Sequence, residues 1–262
     1  MVGTTGIEPV TPPMSRVCSP AELRARPMAS HPDEPDGRNG RGIGEAAENC
    51  KRYERLSSAV MLLGSTQVAD RFSFYFDFIS PFSYFAWQHL PKLAAAYGRE
   101  LVFFPVDLAE LKLLAGNTAP PTRMMPMKLK HLKEDQRRWA HHYGVPIATP
   151  AHYDSTLLNK GALFTIDHGC IEDYLTIVYR RVWGEGASMI DLQMIEESVS
   201  QCSLSFHEYM AFVKSDAAEA RYRQHTLAAH EAGVFGVPTM ITDGQMWWGN
   251  DRFHFMEAHL KG

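Results

Sequence analysis

The chain has 262 residues, a formal net charge of −4 and 45% apolar residues, enough for a full core in one large domain or two small ones. The mildly acidic balance argues against a nucleic-acid partner, which needs a basic face. No apolar run reaches the roughly 18 residues of a membrane span, no ordered signal-peptide regions stand at the start, and Cys18, Cys50, Cys170 and Cys202 are spaced for neither zinc nor a disulfide framework. Together these features point to a soluble, cytoplasmic protein in a reducing compartment.

Residues 1–70 differ from the rest. Pro9, Pro12, Pro13, Pro20, Pro27, Pro32 and Pro35 interrupt regular structure, and residues 31–44 are small, charged or turn-forming. This segment is expected to be a disordered extension, with at most a short helix around residues 46–57. Its opening, Val2 to Pro12, resembles a stretch that recurs on unrelated predicted bacterial proteins through misplaced start sites, and a start at Met61 is expected.

From Arg71 the pattern is regular. The aromatic run Phe72–Phe78 reads as a strand. Pro81 opens a helix that runs through Ala94, Ala95, Ala96 and Tyr97 to Gly98. Leu101–Val106 is a second strand, and a strand–helix–strand unit favours a parallel pair. A mostly helical region follows from about Met124 to Asp216, with Ile171, Leu175, Val178 and Val182 at helical spacing. A helix over residues 217–232, a strand over Val237–Ile241, a turn at Asp243-Gly244, a strand at Gln245–Trp248 and a helix over residues 251–260 close the chain. That order predicts an α/β, thioredoxin-like fold (residues 71–110 and 215–262) with an inserted all-helical domain (residues 111–214).

Where the first strand meets the first helix, redox enzymes of this fold carry Cys-x-x-Cys, and this chain has Ser80-Pro81-Phe82-Ser83. The scaffold for a thiol lacks its own, so a reactive sulfur is expected to arrive with a ligand, with glutathione the candidate. Ser80 also reads as a plain helix N-cap. A helix N-terminus lowers the pKa of a sulfur held there, so both roles can coincide. Val237-Pro238 reads either as a turn or as the proline, usually cis, that lies opposite that helix and offers a backbone edge to an extended peptide. Asn250 or Asp251 is expected to cap the last helix, at a start that could also hold the γ-glutamyl end of glutathione. His141 and His142 are adjacent, and the pairs His225/His230 and His254/His259 are each five apart, so no metal site is expected.

The run from Phe74 to Tyr84, Arg137-Arg138-Trp139-Ala140, Tyr143-Gly144-Val145-Pro146, Val182-Trp183-Gly184-Glu185-Gly186, Val234 to Met240, and Met246 to Arg252 resemble, in that order, the 2-hydroxychromene-2-carboxylate isomerases. These are glutathione-dependent enzymes of bacterial naphthalene breakdown, similar to kappa-class glutathione transferases. The resemblance covers Arg71 to Gly262. It implies Ser80 as the catalytic serine beside the glutathione sulfur, and glutathione contacts at Val237, Pro238, Trp248, Gly249, Asn250 and Asp251. It implies an aromatic-substrate pocket at Lys112, Thr122, Arg123 and Tyr153, with Asn117 shaping its loop and Lys128 as a further glutathione contact. A homodimer and reversible addition of the glutathione thiol to the opened substrate are implied as well. A kappa-like transferase and a redox-dead binding module are the competing readings.

Overall fold

The computed structural model describes residues 71–262. The expectations for residues 1–70, including the short helix and the start at Met61, lie outside the described residues. Strands β1 (Arg71–Phe76), β2 (Glu100–Pro105), β3 (Thr239–Thr242) and β4 (Gln245–Trp248) form one sheet in the order β2-β1-β3-β4. β1 runs parallel to β2 and antiparallel to β3, and β3 pairs antiparallel with β4 through the Asp243-Gly244 turn. Helix α1 (Pro81–Ala96) joins β1 to β2, as the strand–helix–strand pattern requires.

Between β2 and β3 lie α2 (Leu108–Leu114), a 3-10 turn (Thr122–Met124), α3 (Pro126–Tyr143), α4 (Thr156–Asp167), α5 (Ile171–Tyr179), α6 (Leu192–Gln201), α7 (Phe206–Val213) and α8 (Asp216–Glu231). Helix α9 (Phe253–Leu260) ends the fold. Among the described residues no helix is long and apolar enough to cross a membrane.

Because side chains alternate along a strand, β1 is buried on both faces. Phe72, Phe74 and Phe76 enter the larger core with Trp87 and Leu90 of α1, Tyr174 and Tyr179 of α5, and Phe253 and Met256 of α9. Tyr75 points the other way, stacks on Phe104 at 4.7 Å and joins Leu111 of α2 and Ala229 of α8. In the helical layer the Tyr174 and Tyr209 hydroxyls lie 2.8 Å apart and bond the Leu158 and Leu157 carbonyls. The Tyr209 ring occupies the space that a side chain at position 161 would need, so Gly161 admits no larger residue.

Several boundaries differ from the sequence expectation. β1 stops at Phe76, and Asp77 to Ile79 turn toward the helix. β3 begins at Thr239 rather than Val237, since Pro238 has no N–H to give a ladder and its bond to Val237 is cis. The helix carrying Ile171, Leu175 and Val178 ends at Tyr179, and Val182 lies in a π turn over Arg180–Gly184. Neither Asn250 nor Asp251 caps the last helix. That helix starts at Phe253, its N-cap position is Arg252 with no side-chain bond, and the chain spends residues 249–251 in a turn where Gly249 takes φ +105°. Cys170 and Cys202, distant in sequence, meet across the start of α5 and the end of α6, where burial raises both thiols, Cys202 to about 12.

His225 of α8 is buried against the Phe104 ring, and desolvation, with Arg221 nearby, lowers its pKa to about 3. The folded state therefore keeps the imidazole neutral while the unfolded chain takes up a proton near 6.5. The stability this provides is complete above that value and is lost as pH falls toward 3. In urea titrations below pH 6.5, the wild type should lose about 1.4 kcal/mol per pH unit more than His225→Gln; parallel slopes would refute this.

Candidate active site at the carboxyl end of the central strand

The turn between β1 and α1 is built around a buried carboxylate. Asp77 is 3% exposed. Its Oδ1 accepts the Ile79 N–H at 3.0 Å, the Ser155 hydroxyl at 2.6 Å and the Asn159 amide at 2.7 Å, and its Oδ2 accepts the Leu108 N–H at 3.0 Å. Asn159 Oδ1 in turn accepts the Phe78 N–H, and its amide also donates to the Tyr222 hydroxyl at 2.8 Å. One network thus ties the turn to α2, α4 and α8. Desolvation outweighs these four donors and leaves the Asp77 pKa above the ordinary carboxylate value. The Trp183 indole N–H, bonded to the Phe78 carbonyl at 2.8 Å, fixes the turn from the far side.

Ser80 follows with extended backbone angles and is 5% exposed. Its N–H donates to the Asp77 carbonyl, and its Oγ accepts the Ser83 N–H at 3.3 Å. The cap therefore uses the hydroxyl as an acceptor and leaves its proton available to donate. The first turn of α1 holds no acidic side chain, so the positive end of its dipole is not offset there. Ser83 is fully buried, facing Tyr179.

The sheet register brings distant residues to this point. Tyr75 pairs with Thr239, so the end of β1 that leads to Ser80 lies at the same edge as Val237 and Pro238. Thr239 pairs with Trp248, and the Gly249 N–H bonds the Pro238 carbonyl at 2.9 Å, which puts Gly249, Asn250 and Asp251 there too. Val237 is buried and stands outside both ladders. Trp248 is half exposed and lies across Gly236, where a Cβ would come within 2.9 Å of its indole nitrogen. Asn250 is buried and acts on the Tyr143 hydroxyl of α3, whose pKa burial still drives to about 12. The Asp251 carboxylate is half exposed, 3.4 Å from Arg252.

A cavity of about 500 Å³ opens beside the start of α1, lined by Phe82, Thr122, Met127, Lys128, His131, Leu132 and Asp135. Two of the sequence-predicted residues, Thr122 and Lys128, meet there. Arg123, exposed on the 3-10 turn, acts on the Tyr153 hydroxyl and offsets part of the rise that burial gives it. The Tyr153 ring lies 6.2 Å from Trp183, so this pair connects to the Phe78 turn. Lys112 is in the last turn of α2, and Asn117 is exposed, bonded to the Lys112 carbonyl through its N–H and to Ala119 through its side chain. Neither lines the cavity.

Residues 71–261 match the DSBA-like thioredoxin domain. The chain belongs to the DSBA-like thioredoxin family. A 2-hydroxychromene-2-carboxylate isomerase of Pseudomonas putida is 42% identical over 188 residues, which is 71% of this chain and 92% of the relative. A solved 2-hydroxychromene-2-carboxylate isomerase superposes with a TM-score of 0.70 at 39% identity, over 72% of this chain and 94% of that one. The glutathione S-transferase kappa 2 of Caenorhabditis elegans is 26% identical over 72% of this chain and 92% of its own length. The architecture is thus the α/β, thioredoxin-like one of this family, with helices between β2 and β3.

Sequence reasoning missed Asp77, Ser155 and Asn159, although an acid inside the run Phe74-Tyr75-Phe76-Asp77-Phe78 was a usable signal, since a charge among buried aromatics must be held by donors. It also missed Phe82 and His131, the latter three residues after Lys128 on one helical face. Asp77→Ala should leave several buried donors unpaired and cost about 3 kcal/mol or more in urea unfolding. Amide exchange should accelerate at Ile79 and Leu108, and unchanged protection there would show that the turn is held by other contacts.

Proposed function

We propose that this chain is a glutathione-dependent isomerase converting 2-hydroxychromene-2-carboxylate to trans-o-hydroxybenzylidenepyruvate in naphthalene-type aromatic breakdown, acting as a cytoplasmic homodimer. The observation that carries this reading is a capping serine, Ser80, with a donatable proton at the buried helix start where thiol enzymes of this fold keep cysteine. The 42% identity to a named isomerase supports the same reaction.

The donor set suits glutathione, whose bound thiolate would supply a nucleophile that adds reversibly to a conjugated alkene. Ser80 donates its hydroxyl proton to an anion at the start of α1. A free thiol is only about 3% ionised at neutral pH, and one hydrogen bond to the charged form, roughly 1.5–3 kcal/mol, lowers its pKa by about one to two units. Val237, outside the ladders and next to Pro238, offers its backbone to the extended peptide. Trp248 walls that edge, and Gly249, Asn250 and the Asp251 carboxylate receive the γ-glutamyl end with its ammonium. Lys128 supplies a cation in the adjoining cavity.

Arg123, with Tyr153 beside it, pairs with the pyruvate-type carboxylate of the substrate, while Thr122 orients it from the cavity wall. Lys112 is the second cation for that carboxylate, and Asn117 shapes the loop that carries it. The kappa-class relatives support a second reading, glutathione conjugation to electrophiles, by the same Ser80 chemistry.

Ser80→Ala should fold, since loss of an N-cap costs about 1 kcal/mol. Its bound glutathione should ionise about one to two pH units higher by thiolate absorbance, and isomerase kcat near pH 7 should fall about 10- to 100-fold. Wild-type ionisation and turnover in this variant would overturn the role. Arg123→Ala and Lys112→Ala separate the two activities: an isomerase loses turnover of the carboxylate while conjugation of an uncharged electrophile persists, and equal loss of both favours the transferase.

A further inference from the structure

Between Val234 and Met240 every residue is buried except Phe235, which is 43% exposed. Its ring meets Trp248, itself 52% exposed, edge to face at 5.0 Å and 63°. The indole also lies across Gly236, where a Cβ would come within 2.9 Å of its nitrogen and 3.5 Å of the adjoining ring carbon. Gly236 has no left-handed backbone angle, so the indole, and not the turn, requires the missing side chain. The loop beneath is pinned. The Thr239 hydroxyl donates to the Gly236 carbonyl at 2.7 Å, and the Gly249 N–H to the Pro238 carbonyl at 2.9 Å. Phe235 and Gly236 together form a seat that confines a half-exposed indole to one orientation. Neither residue has a part in the reaction as proposed above.

We infer that Phe235 is a positioning residue: through this seat it fixes Trp248 as the wall on which the methylene arm of a γ-glutamyl peptide packs. The inference rests on the glutathione reading. Trp248 pairs with Thr239, two residues after Val237, and is followed directly by Gly249, Asn250 and Asp251. Its ring therefore borders the backbone edge on one side and, on the other, the turn proposed for the charged γ-glutamyl end. In a γ-glutamyl peptide the part between the paired amide and that charged end is a short chain of methylenes with no polar atom. An apolar wall suits such a chain, and a ring already held in place loses little freedom when the chain packs on it. A wall fixed in one place also measures the arm, because a shorter arm leaves part of it uncovered.

The test compares the full chain with Phe235→Leu and Phe235→Tyr, and with Trp248→Ala alone and combined with Phe235→Leu. S-methylglutathione and its β-aspartyl homologue, one methylene shorter, are titrated in a calorimeter, and the thiolate absorbance of bound glutathione is followed against pH. Phe235→Leu should weaken S-methylglutathione about three- to tenfold, the range of one aromatic pair, and Phe235→Tyr should restore it. The same change should weaken the β-aspartyl homologue less, and should have no further effect once Trp248 is replaced by alanine. The bound thiol should ionise as in the wild type, because Ser80 is untouched. Wild-type affinity in Phe235→Leu, an equal loss for both ligands, or an undiminished loss in the Trp248→Ala background would each overturn the inference alone. An ionisation shift like that of Ser80→Ala would place the effect at the helix start and overturn it as well. A wild type that binds no glutathione would overturn it together with the glutathione reading.

Discussion

A single buried carboxylate holds the candidate site in place. Asp77 follows the central strand, and the chain must turn there to start α1 with Ser80 in position. An ion with so little exposure is stable only among donors, and it has four, from the turn itself, the start of α2 and the face of α4. The upward pKa of Asp77 means that desolvation still exceeds what these bonds return. Its charge is also felt at Tyr179 and Tyr222, where it adds to the effect of burial. The fold tolerates this cost because the same bonds lock the sheet and the helical layer to one loop.

Topology does the rest. β1 and β3 run in opposite directions, so the end of one strand and the beginning of the other meet at a single sheet edge. Residues as far apart as Ser80 and Asp251 are brought to that edge by a ladder of backbone pairs rather than by side-chain contacts. The cavity draws on two parts of the chain, Phe82 of α1 and the residues of the 3-10 turn and α3 that lie between β2 and β3.

Much of this was legible from local rules. The aromatic strand, the Ser-Pro helix start, the Asp-Gly hairpin and the helix before Gly233 each carry their signal within a few residues, and the four strands follow from them. The proline expected opposite the first helix is cis in the structure. What was not legible depends on tertiary neighbours. Asp77 reads as one polar residue in a strand until Ser155 and Asn159 are known to lie beside it. The cap expected at Asn250 or Asp251 is a sound local expectation, overridden because Asn250 is buried toward Tyr143 and the turn at Gly249 delays the helix. Arg123 and Tyr153, thirty residues apart, were linked only by resemblance, and their electrostatic contact is a property of the folded chain.

The described cysteines also bear on where a reactive sulfur could come from. Cys170 and Cys202 sit together at the end of α5 away from Tyr179, the residue whose ring packs on Phe78 in the site turn. Burial holds both thiols in the protonated form, Cys202 up to about 12, so neither is a nucleophile at neutral pH. The helix start, by contrast, offers a donatable hydroxyl proton and an unopposed dipole, the two features that favour a thiolate, and carries no sulfur. Sites suited to ionising a thiol and thiols kept from ionising are thus separated within one fold. On the reading proposed above, a diffusible thiol ligand at Ser80 would resolve that separation without moving any residue, because the groups that would stabilise its charge are fixed by the cap and by the Asp77 network beneath it.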